Sequence, residues 1–279
     1  MAAQTTQKQG GETATSSAQV HTAKTHTAKV ADFIYSPPVA AQGATRILVK
    51  PNLGYPKGPP VTVGMTVLSE VLQGLRRASP QAEILIVEGV CSQLSLAEIA
   101  SKNGLYGILD GGMAVLDADT LPCIAYPNQL PRPVRYAEMW APKLLREVDC
   151  RISVSAFKIT SLKEQPLVSA TLKNLYGLFP RAKYKARSAN SRGQLHRPSV
   201  PQILQDVYFS IGHLFDGGVA DCSQKFISKD WRPDVGTGFD LGHVVWGEDL
   251  LAIDRRACQL AQEPVANYLD PIEQLRTKI

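Results

Sequence analysis

The sequence has no pair of cysteines close enough to act together. Its five thiols, Cys91, Cys123, Cys150, Cys222 and Cys258, are odd in number and widely spaced, with no C-x-x-C. That spacing argues against a disulfide framework and excludes a zinc ribbon or an iron–sulfur cluster built from local thiolate pairs. Buried free thiols in a reducing cytoplasm are expected, and no metal site. No apolar run approaches the roughly 20 residues of a membrane span. There is no G-x-x-x-x-G-K-[ST], no G-x-S-x-G and no H-E-x-x-H, which removes the phosphate-loop, nucleophile-elbow and zincin chemistries. Gly236-Thr237-Gly238 reads as a turn rather than a dinucleotide fingerprint. The balance of charge, 30 Lys+Arg against 25 Asp+Glu, is too small to imply nucleic acid by itself.

What is present is ordinary globular usage, 44% hydrophobic and 20% charged over 279 residues. One large α/β unit follows from that length. Residues 1–29 are rich in Thr, Ala, Gln and Lys and nearly empty of large apolar groups. They are expected to be a disordered polar tail, with residues 30–279 forming the α/β domain. The tail carries neither the apolar core of a secretory signal nor the arginines of a transit peptide, so a cytoplasmic location is expected.

From residue 46 onward, short apolar runs alternate with helical patterns. Strands are predicted at 46–50, 83–87, near 123–126, at 152–157, near 214–215 and at 241–246. Helices are predicted at 67–77, from a Ser95/Glu98 capping box to Gly104, from Pro142 through Val148, at 171–179, from Ser199/Gln202 onward, and from Asp249 to about Ala261. This alternation implies a mostly parallel, doubly wound sheet with helices on both faces.

In such sheets ligands bind beyond the carboxyl ends of the strands. The residues just past four predicted strands are Lys50-Pro51-Asn52, Glu88-Gly89, Lys158-Ile159-Thr160 and Asp216-Gly217-Gly218. A charged group follows each strand, and Pro or Gly at three of them marks tight turns. A second feature is a basic insertion, residues 163–197, with eight Lys/Arg against one Glu. Residues 198–279 carry seven against twelve. The asymmetry suggests a segment lying over an anionic ligand or facing an acidic protein partner. Its few aromatics make nucleic acid an unlikely target. His196, inside the segment, is the one histidine suited to acid–base work, whereas His213 and His243 read as structural.

Taken together, ILVKPNLG (47–54), ILIVEG (84–89), ISVSAFKIT (152–160), TLKNLYGLFP (171–180) and DGG (216–218) resemble the domain of unknown function 362 family. The resemblance runs from about residue 46 to 262. It maps the family's polar motif positions onto Lys50, Asn52, Glu88, Lys158, Thr160, Lys173, Asn174 and Asp216. A Lys-Thr-His element of the family appears here as Lys158-Ile159-Thr160-Ser161, without the histidine. The ferredoxin-like C-x-x-C-x-x-C module carried by many relatives is missing.

Two functions are open at this point. In the first, a small phosphorylated or carboxylated ligand is bound, and could be transformed. Lys50, Lys158 and Lys173 would neutralise it, Asn52, Thr160 and Asn174 would orient it, and Glu88, Asp216 and His196 are the candidate catalytic groups. In the second, the chain is a non-enzymatic accessory protein of redox or iron–sulfur/cofactor metabolism, acting with a separate partner. Convergence of the strand-end residues in one pocket would favour the first, and dispersal over a flat basic face the second. The cofactor is left unspecified by the sequence.

Overall fold

A computed structural model describes residues 24–162, 165–229 and 232–279. In chain order the elements are β1 (Thr25–Lys29), β2 (Arg46–Pro51), α1 (Met65–Ala78), β3 (Glu83–Glu88), α2 (Leu96–Lys102), β4 (Met113–Asp117), β5 (Cys123–Pro127) and β6 (Glu138–Pro142). They continue with β7 (Cys150–Leu162), β8 (Gln165–Ser169), α3 (Thr171–Asn174), α4 (Arg181–Tyr184), α5 (Val200–Ser210), β9 (Gly217–Lys229), β10 (Arg232–Gly247), α6 (Leu250–Leu260) and α7 (Leu269–Arg276).

The main sheet has the order β1-β10-β9-β7-β2-β3-β4, with β8 attached to β7. Its centre, β9-β7-β2-β3-β4, is parallel throughout. β1, β8 and β10 run antiparallel to their partners. The mostly parallel α/β architecture is therefore as the alternating pattern implied. β5 and β6 form a separate antiparallel ribbon.

Both faces of the sheet are covered, which is why its strands read as continuous apolar runs. Ile47, Val49, Ile84, Ile86, Ile152 and Val154 pack with the apolar stripe of α1 (Val67, Leu68, Val71, Leu72, Leu75). Leu48, Leu85, Val87, Phe157 and Ala220 face the other way, into a larger core with α5, α6 and α7. By this alternation Lys50 follows Leu48 onto the α3 side.

Local signals explain several boundaries. Ser95 and Glu98 form a complete capping box on α2: the Glu98 N–H donates to Ser95 Oγ at 3.3 Å and the Ser95 N–H to Glu98 Oε2 at 2.8 Å. Gly104 takes a φ of +77° just beyond that helix, a conformation that favours glycine. Asp249 caps α6 through the Leu251 and Ala252 N–H groups.

Other expectations are corrected. Residues 25–29 are not tail but a strand, paired from Thr25↔Gly247 to Lys29↔His243, while residues 1–23 lie outside the described residues. Their polarity misled because an edge strand needs a backbone partner rather than an apolar face; His26 also stacks on Trp246 at 5.3 Å. Residues 212–214 form a 3-10 turn, so Asp216 precedes β9 instead of ending a strand. The predicted helix 171–179 is one α turn followed by a 3-10 turn at 175–178, and the one after Pro142 is a 3-10 turn at 143–146. Ser199 Oγ donates to Gln202 Oε1 and caps no backbone group. Gly236-Thr237-Gly238 lies within β10, paired with β9.

Removing β1 unpairs the β10 edge and uncovers Trp246. A chain beginning at Val30 is expected to melt roughly 4–8 °C below one beginning at Lys24, corresponding to about 2 kcal/mol in a domain of this size. Scanning calorimetry of both chains checks this, and equal melting points would show that the strand contributes nothing.

Candidate functional site

Lys50 ends β2 as one of the most deeply buried side chains, 1% exposed. Its ammonium has three N–H donors, and all are used. They go to Glu88 Oε1 (2.8 Å), Asn174 Oδ1 (3.1 Å) and the Pro51 carbonyl (2.7 Å). Glu88, at the end of the neighbouring β3, is equally saturated: its carboxylate also accepts from the N–H groups of Leu53 (2.7 Å) and Gly89 (2.8 Å). Burial pushes the Lys50 ammonium below its ordinary range, while the Glu88 charge opposes that shift.

Asn174, on α3, joins this pair to the sheet. Its amide nitrogen faces the Lys50 carbonyl (2.8 Å), Ser153 Oγ (3.1 Å) and the Val154 carbonyl (3.3 Å). It thus bridges β2 and β7 at the register where Lys50 pairs with Ser153 and Pro51 with Val154. Asn174 Oδ1 accepts from Asn52 Nδ2 (3.3 Å) as well as from Lys50. Asn52 Oδ1 in turn accepts from Lys158 (2.8 Å). Gly177 gives this network its room: a methyl group there would overlap the Glu88 carboxylate and the Lys50 ammonium.

Lys158 lies inside β7, where a register shift between Ala156 and Lys158 interrupts pairing with β9. Its second acceptor is the Val61 carbonyl, at 2.9 Å. Both acceptors are neutral, and among the described residues no carboxylate ion-pairs with it. Burial first, and repulsion from Lys173 second, lower its pKa to about 7. Lys173, on α3, is half-buried with its ammonium 5.1 Å from the Tyr176 ring centre. Among the described residues it has no hydrogen-bond acceptor, and burial lowers its pKa too.

These residues open onto one cleft of about 290 Å³, which Lys50, Asn52, Glu88, Lys158, Thr160, Lys173, Asn174 and His196 all line. Thr160 stands at its edge with its hydroxyl 2.6 Å from Ser228 Oγ. His196 Nδ1 lies 3.3 Å from the Arg192 carbonyl. A carbonyl can only accept, so Nδ1 carries the hydrogen and Nε2 is bare. Burial, followed by Lys173, pulls the His196 pKa down to about 4, leaving a neutral imidazole at physiological pH.

Asp216 is not part of this site. It accepts from the Arg151 N–H (2.8 Å) and guanidinium (3.1 Å) at the start of β7, the opposite end of the strand from the cleft. The error came from placing a strand before it rather than after it. Cys222 and Cys258, the thiols furthest along the chain, are buried, and burial raises both pKa values. Only Cys91 among the described cysteines reaches the cleft. No group of three or more His, Cys, Asp or Glu among the described residues is placed to hold a metal ion.

Sequence reasoning passed over Arg192 as an individual residue. It is 3% exposed and donates to the carbonyls of Phe179, Gly89 and Val90, with Asp119 as its counter-ion. Arg181 shares Asp119, at 2.6 Å. These bonds fix the described part of the basic segment as a wall of the cleft, bringing Ser188, Asn190 and Ser191 to its lining. The only available signal was the density of positive charge, which does not distinguish a guanidinium that binds carbonyls from one that meets solvent. A more open groove of about 520 Å³ beside α1 contains Arg76 and Asp110, whose charges neutralise each other at 2.8 Å.

The family described as Domain of unknown function (DUF362) matches residues 47–259. The chain belongs to that family. Every DUF362-like segment in the sequence except the DGG run contributes to the cleft or its supporting network. No curated protein matches the sequence. Among solved structures, the chain is similar to the lactate racemase apoprotein from Thermoanaerobacterium thermosaccharolyticum, with a TM-score of 0.48 and 15% identity. That superposition covers 80% of this chain and 50% of the other, so the chain spans half the length of that protein. Among the described residues no helix is long and apolar enough to cross a membrane.

Two stability measurements test the network. Lys50→Met leaves Glu88 buried without its counter-charge and is expected to cost about 3–5 kcal/mol. Adding Glu88→Gln should recover most of that loss, whereas strict additivity in urea unfolding would mean the pair is uncoupled. The second concerns Lys158. The unfolded chain keeps this proton up to the ordinary lysine range, while the folded chain releases it near 7. Fewer protons bound in the folded state means that stability rises with pH between those two values. Parent stability should therefore increase relative to Lys158→Met between about pH 6 and about pH 9. The opposite slope would show that the fold favours the ammonium.

Proposed function

We propose that this protein binds a small phosphorylated or carboxylated molecule in the cleft at the carboxyl ends of β2 and β3. The observation that carries this reading is the uneven use of the cations. Glu88 pairs with Lys50, and Arg192 shares the Asp119 carboxylate with Arg181. Lys173 has no acceptor among the described residues, and Lys158 meets only neutral ones. A half-closed cleft holding the uncompensated Lys173 ammonium, with the Lys158 amine beside it, favours an anion that restores neutrality. Its volume suits a small acid or monophosphate better than a dinucleotide.

Roles within the proposed site differ from those first expected. Lys50, Glu88 and Asn174 spend their hydrogen bonds on one another and on backbone, so they shape the cleft. Lys173 and Lys158 are the groups left to face the anion, with Asn52, Thr160 and the neutral His196 around them. The accessory-protein reading is less well supported, because the strand-end residues converge on one cleft instead of spreading over a basic face.

Thermal-shift screening of phosphorylated and carboxylated metabolites, followed by calorimetric titration of any hit, tests the proposal. Lys173→Ala is expected to weaken binding about 10–100-fold, and the surface change Lys278→Ala to leave it unaltered. Unchanged affinity in Lys173→Ala would refute the site.

A further inference from the structure

The three cleft lysines differ in how many N–H groups they have committed, and that difference separates their chemistry. Lys50 uses all three on acceptors, one of them a carboxylate. Lys173 uses none among the described residues. Lys158 uses two, on Asn52 Oδ1 and the Val61 carbonyl. A neutral amine has two N–H groups and one lone pair. Two fixed neutral acceptors are thus the full complement of a neutral lysine, and the remaining tetrahedral position carries the lone pair. The side chain is 9% exposed and lines the cleft, so a bound molecule is what that position can meet. Among the described residues no carboxylate ion-pairs with Lys158; the Glu88 charge in the same cleft favours its proton but is paired to Lys50, while burial and the Lys173 ammonium oppose it.

We propose that Lys158 is a nucleophile that forms an imine with a small ketone or aldehyde carrying a carboxylate or phosphate, the anionic group resting against Lys173. Nζ attacks the carbonyl carbon to give a carbinolamine. The carbon–oxygen bond then breaks, the two amine hydrogens leave with the oxygen as water, and a C=N bond remains. No oxidant or reductant is required. When the imine takes up a proton from solvent it carries one N–H, for which Asn52 Oδ1 or the Val61 carbonyl is already placed. The positive imine nitrogen can then withdraw electrons from the adjacent carbon. The bare Nε2 of His196 is a base within the same cleft.

This inference rests on the anion-site reading, and the test separates the two. The full chain is incubated with pyruvate or with dihydroxyacetone phosphate, treated with borohydride, digested and mapped by mass spectrometry. Propionate and glycerol phosphate, which have the charge without the carbonyl, serve as controls. The expected result is a near-stoichiometric adduct on Lys158 with one of the carbonyl compounds, adding the mass of that compound less one oxygen. No adduct should form with either control or in Lys158→Met. The carboxylate and phosphate arms show which anion the site prefers. A melting shift by a carbonyl compound that is lost in Lys173→Ala, with no adduct or only scattered surface modification, would overturn the imine and leave the anion site standing. Absence of both shift and adduct with all four compounds would overturn the imine and count against the anion site as well. Mapping the parent protein keeps the test independent of whether Lys158→Met folds.

Discussion

A lysine ammonium removed from water at the end of a central strand must find a counter-charge and an acceptor for every proton, or the fold does not tolerate it. Lys50 meets that demand with Glu88, Asn174 and a backbone carbonyl. Each partner imposes a further constraint. Glu88 must end β3 beside it, with the Leu53 and Gly89 N–H groups turned inward. Asn174 must arrive on α3, on the face of the sheet to which Lys50 points. Gly177 must lack a side chain, because any carbon there would displace the pair. KPNL, VEG and LKNLYG meet in space through this one interaction.

The turn that brings Lys173 and Asn174 to the cleft is itself anchored by a buried carboxylate. Asp254, on α6, accepts from the Thr171 N–H (2.7 Å) and hydroxyl (2.5 Å), the Leu172 N–H (3.1 Å) and the Tyr268 hydroxyl (2.7 Å). Four donors offset the desolvation that pushes its pKa up to about 6. Like any α-helix, α3 leaves its first N–H groups without an intrahelical acceptor, and a distant helix supplies one. In this way the position of the cleft lysine depends on packing between α3 and α6, well outside the strand ends.

Burial alone does not make these lysines alike. Lys50 is locked by a carboxylate and is structural. Lys158 is held by neutral acceptors and released toward neutrality. Lys173 is held by nothing polar among the described residues. The same residue type, within one cleft, therefore offers a fixed charge, a titrating amine and an uncompensated cation. Their environments differ because the β3 end contributes an acid, the loop after β2 contributes a carbonyl, and the 3-10 turn after α3 contributes only an aromatic face.

Much of the architecture was legible in the chain because local physics decides it. Buried parallel strands need uninterrupted apolar runs, and α1 needs its helical stripe, so RILVK, EILIV and the Val67–Leu75 pattern announced themselves. Polar residues after those strands were readable for the same reason: parallel strands end on one side of the sheet. The structure alone decided pairing and use. β1 was invisible because a polar edge strand is stabilised by a backbone 218 or so residues away rather than by its own side chains. Asp216 was misplaced because nothing local says whether a charge precedes or follows a strand. Whether Arg192 faced solvent or four carbonyls, and which lysines would be left without a counter-charge, depended on long-range contacts. Those contacts are made by groups far apart in sequence, and composition records none of them.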